Sequence, residues 1–171
     1  MKVLFLDIDG VLNCAECFKR EHDAWVEKGK PKDEHWNMLD PVHIARLNRI
    51  VAETGAKIVV SSSWRGDPNL YEKLKEAGVV ATFLGQTPRM PRPVGTSVEY
   101  CERGKEVKAF LEEWEQGTAR FSTKPIVNET IWEYAILDDD RDFLPDQPLF
   151  KTVWEVGLTE EIADKVIAHL K

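Results

Sequence analysis

The sequence predicts an α/β protein with a doubly wound, mostly parallel sheet and helices on both faces. Short apolar runs alternate with amphipathic stretches along the chain, and polar clusters follow three of those runs. Alternation of this kind favours right-handed crossovers between parallel strands. The chain has 171 residues, of which 43% are hydrophobic, enough for one core and too few for two. We therefore expect one domain spanning residues 1–171.

Five apolar runs are typical of strands, and four amphipathic stretches are typical of helices. Pro41 and Gly55 mark the start and end of the first such helix, and Thr159 begins a capping box before the last. The predicted strands cover residues 2–6, 57–60, part of 78–85, 131–137 and 150–156. The predicted helices cover residues 41–55, 69–78, 105–117 and 159–171.

Two stretches are less regular. Residues 14–40 are helical at first and then rich in charged and aromatic residues, which suggests a short flap. Residues 86–102 contain prolines that exclude a helix or a central strand. We expect both to form loops over a site.

Composition limits the function classes. The net charge of −7 gives no bulk attraction to nucleic acid or to an anionic membrane, so an anionic substrate needs a locally basic or metal-filled site. There is no apolar run of transmembrane length, and aspartates interrupt the N-terminal run where a signal peptide would continue. These features predict a cytoplasmic protein without a membrane partner, and they predict no oligomeric state.

Three cysteines, Cys14, Cys17 and Cys101, do not form a disulfide framework, which agrees with a reducing compartment. Cys14 and Cys17 form a C-x-x-C pair, typical of redox or zinc sites. The nearby histidines, His43 among them, do not follow at tight zinc-ligand spacing. The pattern therefore favours two ordinary, partly buried thiols.

Polar clusters follow the strands. Asp7 and Asp9 follow the first strand, residues 61–65 (SSSWR) the second, and residues 138–142 (DDDRD) the fourth, while residues 102–107 (ERGKEV) begin the long helix. Ligands of doubly wound sheets bind at the carboxyl ends of the strands. Carboxylates gathered there repel one another unless a cation neutralises them, and all-oxygen ligands without His or Cys select Mg²⁺. The sequence therefore predicts a magnesium site.

These clusters resemble the four motifs of the haloacid dehalogenase (HAD) superfamily. FLDIDGVLN is similar to the first motif, KIVVSSSWR to the second, RGKEV to the third and AILDDDRD to the fourth. They follow the family order and span residues 4–142. The resemblance implies a HAD-like Rossmannoid fold.

The resemblance also implies a mechanism. Asp7 is expected to form an aspartyl-phosphate, and Asp9 to act as general acid and base, as in phosphatases of the superfamily rather than dehalogenases. Mg²⁺ is expected to bind Asp7, the backbone carbonyl of Asp9 and a fourth-motif carboxylate, with Asp139 the first choice and Asp138 its close partner.

Two phosphate contacts stay open. The second-motif hydroxyl is Ser62, or Ser61 one register earlier. The third-motif cation is Arg103, or alternatively Lys105. An Arg departs from the Lys common in the superfamily, although it can bind phosphate with two hydrogen bonds.

Neither interval between motifs is long enough for a folded cap of about 50 residues or more, so we expect an open site. Open sites suit phosphatases that act on macromolecular ends. Basic and aromatic residues in the predicted loops favour a polyanion, although loops contain such residues anyway. The candidates for substrate binding are Arg65, Trp64, Arg89 and Arg92, with Lys19, Arg20, Lys28, Lys30, Lys32, Trp25 and Trp36 nearby.

A closer resemblance adds VGLTEE before the last helix to these motifs. The combination is similar to small HAD domains associated with RNA repair, related in role to the 3′-phosphatase half of polynucleotide kinase-phosphatases. It implies a Mg²⁺-dependent phosphatase that acts on RNA or DNA 3′-phosphate ends. A nucleotidase is the alternative, and a non-catalytic binding module is a third reading.

Overall fold

The computed structural model describes residues 1–29, 39–90, 102–119 and 129–171. In these ranges five strands and five helices follow one another along the chain. The strands are β1 (Lys2–Leu6), β2 (Lys57–Val60), β3 (Phe83–Gln86), β4 (Glu133–Asp138) and β5 (Leu149–Lys151). The helices are α1 (Ala15–Lys28), α2 (Pro41–Thr54), α3 (Leu70–Glu76), α4 (Arg103–Glu115) and α5 (Glu160–Leu170).

The five strands form one parallel sheet in the order β3-β2-β1-β4-β5. The predicted doubly wound α/β fold is confirmed. β1 is the central strand, and its residues 3–6 are fully buried. Asp7 is the residue directly after β1, so it lies at the carboxyl end of the central strand.

Side chains of β1 alternate between two apolar layers, as the period of a strand requires. Leu4 and Leu6 pack with residues of α2, α3 and α5 on one face of the sheet. Val3 and Phe5 pack with α4 on the other face, where Phe110 meets Phe5 edge-on with ring centroids 5.6 Å apart. The sheet is therefore covered on both sides, which leaves its carboxyl edge for polar groups.

Some boundaries differ from the prediction. Helix α4 begins at Arg103, two residues earlier than expected, because Asp142 accepts a hydrogen bond from the Arg103 amide at 3.0 Å. Strand β5 ends at Lys151, since Val153 and Gly157 close a turn through a single antiparallel bridge.

The two irregular stretches are only partly described. The first half of the predicted flap forms α1, and residues 30–38 lie outside the described ranges, as do residues 91–101 of the proline-rich loop. No separate cap domain is present in the part of the chain that the structure describes. Within the same ranges, no helix has the length and apolar character needed to cross a membrane.

Replacing Phe110 tests how α4 covers its face of the sheet. Its side chain is 1% exposed, so Phe110→Ala should lower the free energy of unfolding by about 3–5 kcal/mol through lost burial and a cavity. Lys108→Ala, an exposed change on the same helix, should shift it by less than about 0.5 kcal/mol. Equilibrium urea unfolding measures both. Equal effects of the two variants would contradict the packing described here.

Candidate active site

Three carboxylates meet at the carboxyl edge between β1 and β4. The two strands run side by side, and the Asp7 amide donates to the carbonyl of Leu137 at 2.9 Å. This pairing places Asp7 next to Asp138, the last residue of β4; Asp7 is 1% exposed and Asp138 is fully buried. Ligand atoms of Asp7, Asp138 and Asp139 lie within 4.8 Å of one another. The structure thus brings together three of the residues predicted for the metal.

Arg103 lies between two of these carboxylates. Its Nη1 atom is 2.7 Å from Asp7 Oδ2 and 2.7 Å from Asp138 Oδ2, and it also donates to the carbonyl of Ser61 at 3.1 Å. One guanidinium therefore joins the ends of β1, β2 and β4.

The other candidate cation, Lys105, is not brought to this site. It forms an exposed ion pair with Glu102 at 3.1 Å. Two residues along an α-helix turn the side chain by about 200°, so Arg103 and Lys105 face opposite directions. Of the two alternatives, the structure brings only Arg103 to the carboxylates.

The buried carboxylates have perturbed acidities. Burial raises the pKa of Asp7, although the charge of Arg103 and a hydrogen bond from Ser62 act against it. Burial, and then the charge of Asp7, raise the pKa of Asp138 to about 7. Burial disfavours the charged form of Arg103, but attraction to Asp7 and Asp138 outweighs it and raises the Arg103 pKa. One guanidinium does not fully compensate the cluster, so its electrostatics favour an additional cation.

Asp139 packs against the turn that follows β1. Gly10 has φ +73°, and a Cβ atom at this position would lie 2.4 Å from Asp139 Cγ and Oδ2. Thr152 holds the turn by donating to the Gly10 carbonyl at 2.7 Å. Position 10 therefore needs a glycine for the Asp139 carboxylate to lie this close to the turn. The cluster offers only oxygen ligands, and this donor set fits a hard divalent cation.

Asp9 lies outside the carboxylate cluster. Its Oδ2 atom accepts from Trp64 Nε1 at 3.0 Å and from the Ser63 hydroxyl at 3.2 Å, while its Oδ1 atom accepts from Asn13 Nδ2 at 2.8 Å. Asn13 is itself tied to the turn, because its Oδ1 accepts from the Gly10 amide at 3.0 Å. Asp7 and Asp9, which are separated by a single residue in the sequence, thus have different environments.

The serines after β2 also separate. Ser62 is fully buried, and its side chain lies close enough to Asp7 to act against the rise in the pKa of that carboxyl group. The Ser61 hydroxyl lies 3.5 Å from Thr87 Oγ1. The structure therefore brings Ser62 to the nucleophile candidate, while Ser61 contributes its carbonyl to Arg103.

The predicted substrate arginines have different surroundings. The side chain of Arg65 is 10% exposed and forms an ion pair with Glu106 at 2.7 Å, so it ties the loop after β2 to α4 instead of facing solvent. Arg89 is exposed at the rim of the site and donates to the Ser63 carbonyl at 2.9 Å. Arg92, together with Lys30, Lys32 and Trp36, lies outside the described residues.

The chain matches the family model for the HAD domain in Swiss Army Knife RNA repair proteins over residues 3–163. It belongs to this family of HAD domains. The resemblance seen in its motifs is thereby confirmed. No curated protein and no solved structure matches the sequence. Membership indicates a hydrolase of the phosphatase type, and HAD domains generally use a divalent metal, for which Asp7, Asp138 and Asp139 are the candidate ligands.

Sequence reasoning missed several residues that order this HAD domain. Asn13 and Ser63 hold Asp9, and Asp142 is half-buried and caps α4. Asn13 stands only four residues after Asp9, and this short separation was the sequence signal for a contact between the two side chains. Nothing local predicts the contact of Asp142 with Arg103, 39 residues away.

Gly10→Ala tests the close approach of Asp139. Both Gly10 and Gly55 have positive φ, but the Cβ position of Gly55 has no atom within 4 Å. Gly55→Ala should therefore cost about 1–2 kcal/mol of unfolding free energy for the backbone alone. Gly10→Ala should cost more and should also raise the divalent-cation concentration that gives half-maximal thermal stabilisation. Calorimetry with added Mg²⁺ measures both effects, and equal behaviour of the two variants would argue against this crowding.

Proposed function

We propose that this HAD domain is a Mg²⁺-dependent phosphomonoester hydrolase that forms an aspartyl-phosphate on Asp7, with the 3′-phosphate end of a nucleic acid as substrate. The contact of Arg103 with Asp7 and Asp138 at the end of the central strand is the observation that supports the chemistry best. The family description, which concerns RNA repair proteins, supports the substrate class.

The nucleophile is Asp7. Its Oδ1 atom accepts from the Ile8 amide at 2.7 Å, and Arg103 contacts Oδ2 at 2.7 Å, so the carboxylate has a fixed orientation before substrate arrives. An oxygen of Asp7 attacks phosphorus, and the bond from phosphorus to the ester oxygen breaks. The remaining N–H groups of Arg103 and the Ser62 hydroxyl bind the phosphoryl oxygens.

Asp7, Asp138, Asp139 and the Asp9 carbonyl would hold Mg²⁺, which would screen the repulsion between carboxylate and phosphate and stabilise the transferring group. The donor set supports this assignment, and so does the raised pKa of Asp138, because a bound cation would offset the burial and the charge of Asp7 that raise it.

Asp9 moves the protons. It gives its proton to the departing ester oxygen, and it then accepts a proton from the water that attacks the aspartyl-phosphate. That second step breaks the bond between phosphorus and Asp7 and releases inorganic phosphate. Trp64 and Asn13 position the Asp9 carboxyl group through the hydrogen bonds described above.

Access to the site supports a large substrate. No cap domain covers the carboxyl edge within the described residues. Arg89 lies exposed beside the loop that carries Ser63 and Trp64, where it can meet the backbone of a nucleic acid next to its terminal phosphate.

The test is phosphate release, with and without Mg²⁺, from RNA and DNA oligonucleotides phosphorylated at the 3′ end, their 5′-phosphorylated counterparts and the matching mononucleotides. We expect fast, Mg²⁺-dependent turnover of the 3′-phosphorylated oligonucleotides. Asp7→Asn keeps the size of the side chain and removes the nucleophile, so it should lower kcat about a thousandfold or more.

Two other results of this assay would change the proposal. Turnover of mononucleotides without any gain from chain length would replace the substrate assignment with a nucleotidase. Failure to release phosphate from every substrate, in a folded protein with Mg²⁺, would overturn the enzymatic proposal and favour a binding module.

Trp64→Phe tests the positioning of Asp9, because it removes the indole N–H and keeps an aromatic ring. We expect kcat to fall about tenfold with KM little changed, since the lost hydrogen bond orients the general acid. Trp132→Phe is the control: Trp132 is 61% exposed beside the start of β4, at the opposite edge of the sheet. An unchanged kcat with a raised KM for oligonucleotides would instead indicate that Trp64 stacks on a base.

A further inference from the structure

A second cluster of metal-binding residue types lies apart from the carboxylates. Cys14 and Cys17 come from the start of α1, and Asp40 and His43 from the start of α2. All four residues are at most 5% exposed. One ligand atom each of Cys14, Cys17 and His43 lie within 4.8 Å of one another. The site described above uses none of these four side chains.

The distance between Cys17 and His43 fits tetrahedral coordination. Cys17 Sγ lies 3.5 Å from His43 Nε2. Sulfur and nitrogen ligands of a tetrahedral zinc ion, at their usual bond lengths, are about 3.5 Å apart. Asp40 borders this cluster, because the Cys17 thiol donates a hydrogen bond to its Oδ2 atom at 3.0 Å.

The ring of His43 has the orientation that metal-binding histidines use. Its Nδ1 atom donates to the carbonyl of Leu158 at 2.9 Å, and this leaves the lone pair of Nε2 facing Cys17. Gly157 has φ +75°, and a Cβ atom there would lie 2.6 Å from Nε2. The backbone of the turn before α5 therefore packs directly on the ring and fixes it.

Charge balance also favours a divalent cation. Arg20 Nη2 contacts Asp40 Oδ2 at 2.5 Å from the solvent side, while Asp40 Oδ1 caps α2 by accepting from the Val42 amide at 2.7 Å. With a metal bound, two thiolates and Asp40 would carry three negative charges, which one divalent cation and Arg20 would neutralise together. Buried charges need such compensation.

We propose that Cys14, Cys17 and His43 form a structural zinc site that joins α1, α2 and the turn before α5. The neighbouring Asp40 becomes the fourth ligand when Cys17 gives up the proton that it now donates to this carboxylate. Thiolate and imidazole ligands select Zn²⁺ over Mg²⁺, and four protein ligands leave no open position for a substrate. Asn13 directly precedes Cys14 and donates to Asp9, so the metal also fixes the turn that holds the general acid. This inference does not depend on the proposed function.

Cobalt provides the direct test, because Co²⁺ bound to thiolates shows a charge-transfer band and intense visible bands in tetrahedral sites. The full chain is titrated with Co²⁺ in excess Mg²⁺, and Zn²⁺ is counted by elemental analysis after dialysis. We expect one thiolate-bound Co²⁺ and one Zn²⁺ per chain. Cys17→Ser and His43→Gln should lose the tetrahedral spectrum, whereas Cys101→Ser and Asp139→Asn should retain it.

Thermal denaturation gives a second readout that needs no variant. Zn²⁺ should raise the Tm of the wild-type chain, and chelation should lower it again, because a ligand of the native state stabilises by mass action. The proposal is overturned if wild-type protein shows no thiolate-cobalt band and no Zn²⁺-dependent rise in Tm. It is overturned equally if metal binding persists in Cys17→Ser and disappears in Asp139→Asn, or if thiol titration finds Cys14 and Cys17 oxidised to a disulfide.

Discussion

The ion pairs of Arg103 with Asp7 and Asp138 are the constraint around which the carboxyl edge is organised. Two buried carboxylates cannot both stay charged at this separation without a counter-charge. Arg103 supplies it from the first turn of α4, and this requires the helix to begin at the sheet edge. Gly104 permits that approach, because a Cβ atom there would lie 2.5 Å from Gln147 Oε1 and 2.6 Å from the Leu144 amide. The loop after β4 therefore packs directly on the helix end.

A second buried ion pair fixes the same helix one turn further along. Arg65 contacts Glu106 at 2.7 Å and also donates to Thr87 Oγ1 at 2.5 Å, so the loops after β2 and β3 are tied to α4. Removing one partner of such a pair leaves an uncompensated buried charge. The two arginines thus anchor α4 at successive turns, and the loop bearing Ser62 and Trp64 is held between them.

The fold could be predicted from sequence, and residues for the candidate site could be named, because both depend on local patterns. Apolar runs defined the strands, and Asp7, Ser62 and Asp138 lie at the carboxyl ends of three of them. Orientation could not be predicted in the same way. Arg103 and Lys105 both lie in the first turn of α4, and which one faces the sheet depends on contacts of the helix end with residues distant in sequence, such as Asp142. Arg65 was predicted to bind substrate because its actual partner, Glu106, lies 41 residues away in the sequence and no local pattern indicates the pairing. Likewise, the bond from Trp64 to Asp9 joins positions 55 residues apart.

The residue that pairs with Asp7 and Asp138 is an arginine, and this choice limits how the two carboxylates can lose their counter-charge. A lysine in the same surroundings could lose its proton and become neutral, whereas a guanidinium keeps its charge at every accessible pH. The carboxylates can therefore lose this counter-charge only through movement of the arginine itself. Arg103 belongs to the first turn of α4. The charge balance of Asp7 and Asp138 therefore depends on whether this end of the helix stays packed against the sheet.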